Sequence, residues 1–317
     1  MRLLVTGASG FVGRAVVAAA LASSAVDEVI GTRFGSPPPP GTEAARWEVV
    51  DLADPDAGRR LVAATTPDAV VHTAYVEGGP LLDPVTALAP GALAAATAGR
   101  ARFVHVSTDV VFAGDVADGT TYVEDDPVGP VHAYGRAKAE AERRVLAADP
   151  AAVVARTSLV YDGGSAPEAW SRHERQALAV AAGEVDMAFF DDEWRAPIAV
   201  VDLAGTLLAL AADPDPCWTG IHHVAGPEPV TRLDLARRMV AAHGGDPRRV
   251  PGASVASVAA PRPRCCVLVA TRGRPSSAPV VRGVGEVLGA APLPPPRTWP
   301  GEPPPAAPRF VAPRPAE

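Results

Sequence analysis

The chain opens on an apolar strand, Met1-Arg-Leu-Leu-Val5, and runs directly into Thr6-Gly7-Ala8-Ser9-Gly10-Phe11-Val12-Gly13 before a helical stretch from Arg14 to Leu21. Strand, glycine turn and helix in that order constrain the fold strongly, because they form the first unit of an α/β domain with a parallel sheet. The glycines have G-x-x-G-x-x-G spacing. Such a turn lets backbone N–H groups and the helix N-terminus receive a pyrophosphate with no side chain in the way. An ordinary glycine-rich βα turn is the competing reading. Its place ahead of every other element favours a dinucleotide, with Gly7, Ser9, Gly10, Phe11, Val12 and Gly13 lining the site.

The alternation then continues. Glu28 to Thr32 and Trp47 to Val50 read as strands separated by a Gly/Pro loop, followed by a helix from Asp54 to Thr66 and a strand from Ala69 to Thr73. A helix from Pro84 to Gly99 leads to the strand Arg102 to Val106, and a helix from Ala133 to Ala148 leads to the strand Ala151 to Arg156. Six strands alternating with helices predict an α/β, Rossmann-type doubly wound parallel sheet whose ligands sit at the strand C-terminal ends. Further on, helices are expected near Pro167 to Ala182 and Leu203 to Ala212, a strand from Gly220 to Val224, and a helix capped by Thr231 that runs through Ala242. The expected division is a dinucleotide-binding core at 1–160 with 197–225 returning to it, a smaller C-terminal substrate lobe at 161–196 and 226–290, and a proline-rich disordered tail at 291–317. Eleven prolines fall in the last twenty-six residues, too dense for a helix or central strand.

Candidate chemistry falls at the strand ends. The second strand closes on Arg33, with no Asp or Glu between Glu28 and Glu43, so an arginine stands where a ribose 2′-phosphate would lie. NADP is therefore expected, with NAD as the alternative. Asp51 and Leu52 are placed to meet the adenine, although Asp51 could equally cap the next helix. Thr73, Ala74 and Tyr75 would run beside the nicotinamide half. Thr108, at the end of the fifth strand, is placed to donate to a substrate carbonyl oxygen. Tyr134 and Lys138, four residues apart, share one helix face. An ammonium beside a phenol is expected to lower a pKa of about 10 and allow proton exchange near neutral pH, as carbonyl reduction requires.

Other classes are disfavoured. A net charge of −7 without a basic stripe gives no footprint for nucleic acid or an anionic membrane. The apolar stretch from Phe11 to Ala22 is interrupted by Arg14 and is too short to span a bilayer. Three cysteines make neither a disulfide framework nor a C-x-x-C pair, and point to a reducing, cytoplasmic compartment. His72, His105, His222 and His223 lie in predicted strands without a supporting ligand cluster, so structural roles and no metal are expected. Glu124-Asp125-Asp126 reads as a solvated loop, with a divalent ion at an oligomer contact left open. Heavy use of Ala, Pro and Arg suggests a GC-rich bacterial genome.

Taken together, TGASGFVG, STDVVF, EDDPVGP, YGRAK, RTSLVYD and DEWRAPIAVVDLAG resemble extended short-chain dehydrogenase/reductases, and within them the dTDP-4-dehydrorhamnose reductase branch, over roughly residues 1 to 290. The resemblance implies hydride transfer from a nicotinamide to a 4-keto sugar nucleotide. Tyr134 would act as general acid, Lys138 would tune it and bind the nicotinamide ribose, and Thr108 would assist, so Tyr134 and Lys138 also count as cofactor contacts. Asp109, Arg195 and Asp202 match family positions, where ion pairing serves equally well as an explanation. Val110 departs from the tyrosine usual in that branch, and residues 262 to 289 keep only a diluted likeness. Two other readings stay open: a sugar-nucleotide epimerase or dehydratase with tightly bound NAD, and a non-catalytic NADP-binding regulatory subunit. A homodimer is also left open.

Overall fold

The protein is described here from a computed structural model covering residues 1–164, 167, 170–289 and 298–301. Its centre is a seven-stranded parallel sheet: β1 (Arg2–Thr6), β2 (Glu28–Arg33), β3 (Arg46–Val49), β4 (Ala69–His72), β5 (Arg102–Thr108), β6 (Val153–Thr157) and β7 (Gly220–His223), in the order β7-β6-β5-β4-β1-β2-β3. Strand order reverses between β1 and β4, which is where a doubly wound sheet opens a crevice for a ligand.

The longer helices are α1 (Phe11–Leu21), α2 (Ala57–Thr65), α3 (Ala89–Thr97), α4 (Ala133–Ala148), α5 (Arg172–Ala182), α6 (Val200–Ala212) and α7 (Arg232–Ala242). Alternate strand residues point to opposite faces. Leu3, Val5, Val71, Val104 and Val153 pack with Val16 and Val17 of α1 and Leu203 and Leu207 of α6, while Leu4, Val70, Phe103 and Val154 pack with Leu61 of α2, Leu93 of α3 and Val145 of α4. Both faces are covered, so the strands read as unbroken apolar runs. Burial of each such Leu or Val contributes about 1.5–3 kcal/mol.

Helical starts differ from expectation: α1 and α6 begin three residues earlier, at Phe11 and Val200, and α2 three later, at Ala57, while α5 and α3 differ for a local reason. α5 starts at Arg172 because Ser171 Oγ accepts the Glu174 N–H at 3.1 Å and Glu174 accepts the Ser171 N–H at 2.7 Å, a reciprocal cap. Ahead of α3, Leu82–Leu88 forms a π-helical turn whose Thr86 hydroxyl bonds the Val76 backbone at 2.9 Å.

The second half adds a smaller lobe. Trp194–Arg195 is the middle strand of a three-stranded sheet between Val230–Thr231 and Cys265–Cys266, and α5 packs on α7 through Ala177, Val180, Leu233 and Val240. Residues 262 to 289, diluted in likeness, thus supply a strand of this lobe. Thr231 Oγ1 accepts the Asp234 N–H at 3.1 Å, capping α7. The tail expected at 291–317 falls outside the described residues except at 298–301, where Thr298 and Pro300 are exposed and the half-buried Trp299 ring stands 5.2 Å from Trp194. Among the described residues no helix is long and apolar enough to cross a membrane.

The acidic run is a correction. Asp125 is exposed, but Glu124 is buried, accepting from Thr271 N at 3.1 Å, Thr271 Oγ1 at 2.6 Å and His223 N at 3.2 Å. It ties the chain after β5 to β7 and to the C-terminal segment.

His72 and His105 lie stacked at 5.3 Å in the sheet interior, fully buried, and neither ring nitrogen of His105 has a hydrogen-bond partner. Burial pushes His72 down to about 3 and His105 well below its ordinary value. The unfolded chain therefore binds protons below about pH 6.5 that the folded chain refuses. Stability is fully present above that pH and is lost as pH falls towards about 3. Between pH 7 and 5 His72 alone is expected to remove about 2 kcal/mol, and His105 adds a loss of the same sign. Urea titrations should show this, and because His173 and His223 are pushed down in the same way, to about 3 and about 4, His105→Leu should make the pH dependence shallower without abolishing it.

Candidate active site

The glycine turn leaves no room for side chains. Gly7 has φ +70°, and a Cβ there would stand 2.6 Å from the backbone of Ala74; one on Gly13 would stand 2.2 Å from the Gly7 carbonyl oxygen. The turn is drawn against the sheet by Ala8 N–H to Thr32 O at 3.0 Å and Gly7 N–H to Thr32 Oγ1 at 3.1 Å. Thr73 holds the other wall, donating from N and Oγ1 to Thr6 O at 3.0 and 2.8 Å. Gly10 caps α1 without a side chain. The first N–H groups of α1 are thus open to an anion, with Ser9, Phe11 and Val12 around them. This cradle fits a dinucleotide pyrophosphate.

Arg33 ends β2 and its Nη1 donates to Ser36 O at 3.2 Å, leaving Nε buried without a hydrogen-bond partner. Asp51 is exposed, and its Oδ1 accepts the Ala53 N–H at 2.9 Å, so it caps a turn well before α2 begins. Leu52 packs on the α2–α3 side of the core, and the Tyr75 ring lies 5.7 Å from that of Tyr134, over the end of β4.

On α4, Tyr134, Lys138 and Glu142 recur at spacing four, so one face of the helix carries all three against β5. Lys138 Nζ donates to Val106 O at 2.8 Å and lies 5.5 Å from the Tyr75 ring centroid. Burial lowers its ammonium to about 8, opposed by Glu142. The phenol behaves differently from expectation. Desolvation, helped by Tyr75, Glu77 and Asp109, raises Tyr134 well above its ordinary value, so Lys138 does not win and the half-buried phenol keeps its proton.

Thr108 Oγ1 donates to Asp109 Oδ1 at 3.3 Å and accepts the Val110 N–H at 3.4 Å. Both bonds are long and weak, and the hydroxyl can be redirected to a ligand. Asp109 is buried, accepts from Ser158 Oγ at 2.6 Å and meets Arg195 Nε at 3.5 Å. Burial raises its pKa, opposed first by Arg195. Arg195 in turn lies 3.1 Å from Glu193. Asp202 pairs with Arg282 at 2.9 Å. All three residues at family positions are therefore in ion pairs, two of them directly behind Thr108.

Glu142 escapes notice in the sequence. Buried, it accepts from Ser107 Oγ at 2.5 Å and pairs with Arg156, Nε to Oε1 at 3.0 Å and Nη2 to Oε2 at 2.8 Å, while the Arg156 guanidinium stands 5.0 Å over Phe112. Its i,i+4 relation to Lys138 is the one local signal. His132 is the other omission: it caps α4, its Nδ1 accepting the Gly135 N–H at 3.0 Å.

A pyrophosphate cradle at a sheet crossover, with a Tyr–Lys helix face across from a strand-end threonine, is the architecture of an extended short-chain dehydrogenase/reductase. Comparison narrows this. The profile of the RmlD substrate binding domain matches residues 1–278, and the chain belongs to that family. It is 35% identical to a dTDP-4-dehydrorhamnose reductase of Mycolicibacterium smegmatis over 298 residues, covering 90% of this chain and 84% of that protein. It is 36% identical to a Mycobacterium tuberculosis protein of the same name, with 83% and 82% covered. Among solved structures, dTDP-4-dehydrorhamnose reductase of Bacillus anthracis in complex with NADP shares the fold, with a TM-score of 0.70, 18% identity, and 90% of this chain and 96% of that chain covered.

Proposed function

We propose that this protein is an NADPH-dependent reductase of a 4-keto sugar nucleotide, the activity for which its mycobacterial relatives are named. What supports the reading is that Tyr134 and Lys138 share one face of α4, whose Gly135 lies against the turn that follows Thr108, in a chain that also carries the glycine cradle. NADPH, when bound, supplies the hydride. Gly7, Ser9, Gly10, Phe11, Val12 and Gly13 would hold its pyrophosphate, Arg33 its 2′-phosphate, Asp51 and Leu52 the adenine end, and Thr73, Ala74, Tyr75 and Lys138 the nicotinamide end.

Thr108 Oγ1 orients the ketone oxygen. Tyr134, kept protonated by its surroundings, gives its proton to that oxygen as negative charge builds there. Lys138, with a midpoint of about 8, is still cationic near neutrality and stabilises the phenolate left behind. Core 1–160 with 197–225 would hold the cofactor, and 161–196 with 226–290 the nucleotide-linked sugar. At Val110 the missing tyrosine hydroxyl would shift preference among sugars. We place the enzyme in the cytoplasm and leave a homodimer as an arrangement to be measured.

Absorbance at about 340 nm, followed with NADPH and a dTDP-4-keto-6-deoxyhexose, tests the reading. Consumption of NADPH supports it. Tightly bound NAD with no net consumption would instead favour the epimerase or dehydratase reading, and NADPH binding without turnover of any keto sugar the regulatory one. Arg33→Ala is expected to raise Kd for NADPH about 10–100-fold while leaving NADH nearly unchanged, because one charge-assisted contact contributes about 1.5–3 kcal/mol. Fluorescence titration with both cofactors checks this.

A further inference from the structure

α4 carries both the proton donor and its lysine, so whatever fixes its first turn fixes the site. That turn is capped by a histidine. His132 has extended backbone angles (φ −128°, ψ 165°), and its Nδ1 accepts the Gly135 N–H at 3.0 Å. An N-cap must accept. Asp, Asn, Ser and Thr accept at any pH near neutrality, but an imidazole accepts at Nδ1 only while neutral, with its proton on Nε2. Gly135 is also where α4 touches the opposite side of the site. A Cβ there would stand 2.3 Å from the Val110 carbonyl oxygen and 3.3 Å from the His132 ring, so Gly135 fits closely between the cap and the turn that follows Thr108. The His132 ring itself lies 6.3 Å from that of Tyr134, at 24° to it.

We propose that His132 is a positioning residue for the reduction: its neutral ring seats the N-terminus of α4 against the Thr108–Val110 turn, and its protonation releases that seat and switches the enzyme down in acid. The inference rests on the reductase reading for its effect on rate, but not for its effect on the cap. Protonation converts Nδ1 from acceptor to donor, directly opposing the Gly135 N–H. Desolvation is the largest effect and disfavours the imidazolium; the residue's own backbone opposes it, and Arg195 and Arg262 from the lobe and Arg136 from α4 itself add smaller contributions that again disfavour the charged ring. The transition therefore falls below about pH 6.5, on the acid side of the working range.

Two measurements on the full chain test it, using His132→Asn, which keeps an accepting cap, and His132→Ala, which removes it. In the first, NMR follows the Gly135 amide between about pH 8 and 5.5, with circular dichroism confirming that the fold persists. The Gly135 amide is expected to titrate together with the His132 ring in the parent and to stay constant in His132→Asn. A Gly135 amide that does not move with the ring overturns the proposal, whatever the substrate. In the second, the rate of NADPH oxidation is followed over the same range. His132→Asn is expected to stay within about twofold of the parent at pH 8 and to lose the acid decline assigned to His132. His132→Ala is expected to fall several-fold in kcat at every pH, with KM changed less. An unchanged acid decline in His132→Asn, or parental kcat in His132→Ala, sinks the positioning role. If neither parent nor variants oxidise NADPH while the amide titration appears as expected, the reductase reading fails and the cap stands.

Discussion

Tyr134→Phe is expected to lower kcat by about 10²–10⁴-fold while leaving the fold and NADPH affinity close to the parent. Only the hydroxyl is lost, and the ring contacts with Tyr75 and His132, at 5.7 and 6.3 Å, survive. The magnitude follows from the phenol's environment. Its pKa is held well above the ordinary value by desolvation, so it enters the reaction fully protonated. Steady-state oxidation of NADPH, with far-ultraviolet circular dichroism as the control for folding, measures it. A residual rate within tenfold of the parent would show that the proton comes from elsewhere.

Glu142→Gln should be the most damaging conservative change to stability, costing about 3–5 kcal/mol in urea unfolding. Arg156 is then left charged and buried, with its bidentate partner gone and the Phe112 ring unable to replace it. The pair links α4 to β6, and Ser107 Oγ links it to β5, so the loss reaches the helix that carries Tyr134 and Lys138. Combining Glu142→Gln with Arg156→Met should recover much of the loss, since removing both charges avoids an uncompensated ion. Equal destabilisation of the single and double variants would contradict this account.

The nucleotide-binding half was legible because its signals are local. A strand, a glycine turn and a helix announce themselves within about 20 residues, and alternation of apolar runs with helical periodicity does the rest. The helix Ala133–Ala148 could be bounded to the residue, yet its cap was not seen, because histidine is a poor accepting cap on composition alone. What escaped was non-local. Glu124 looks solvated in a run of acids until Thr271 and the backbone of His223, 147 and 99 residues away, close on it. Tyr134 and Lys138 look like a phenol tuned by an ammonium, whereas the lysine is engaged by the Val106 carbonyl and desolvation governs the phenol. Spacing reports which groups share a face, but not how much water the fold leaves beside them.

The place of β7 in the sheet has a consequence for synthesis of the chain. β6, Val153–Thr157, is buried along its whole length, and its outer neighbour, Gly220–His223, arrives only after α5, α6 and the first part of the lobe have been made. A nascent or prematurely ended chain stopping between residues 158 and 219 therefore presents β6 as an apolar edge with unpaired backbone groups, a template for joining other strands. Shortened versions need to end beyond His223 to stay monodisperse, and ribosome pauses within this window mark where the growing chain most needs a chaperone.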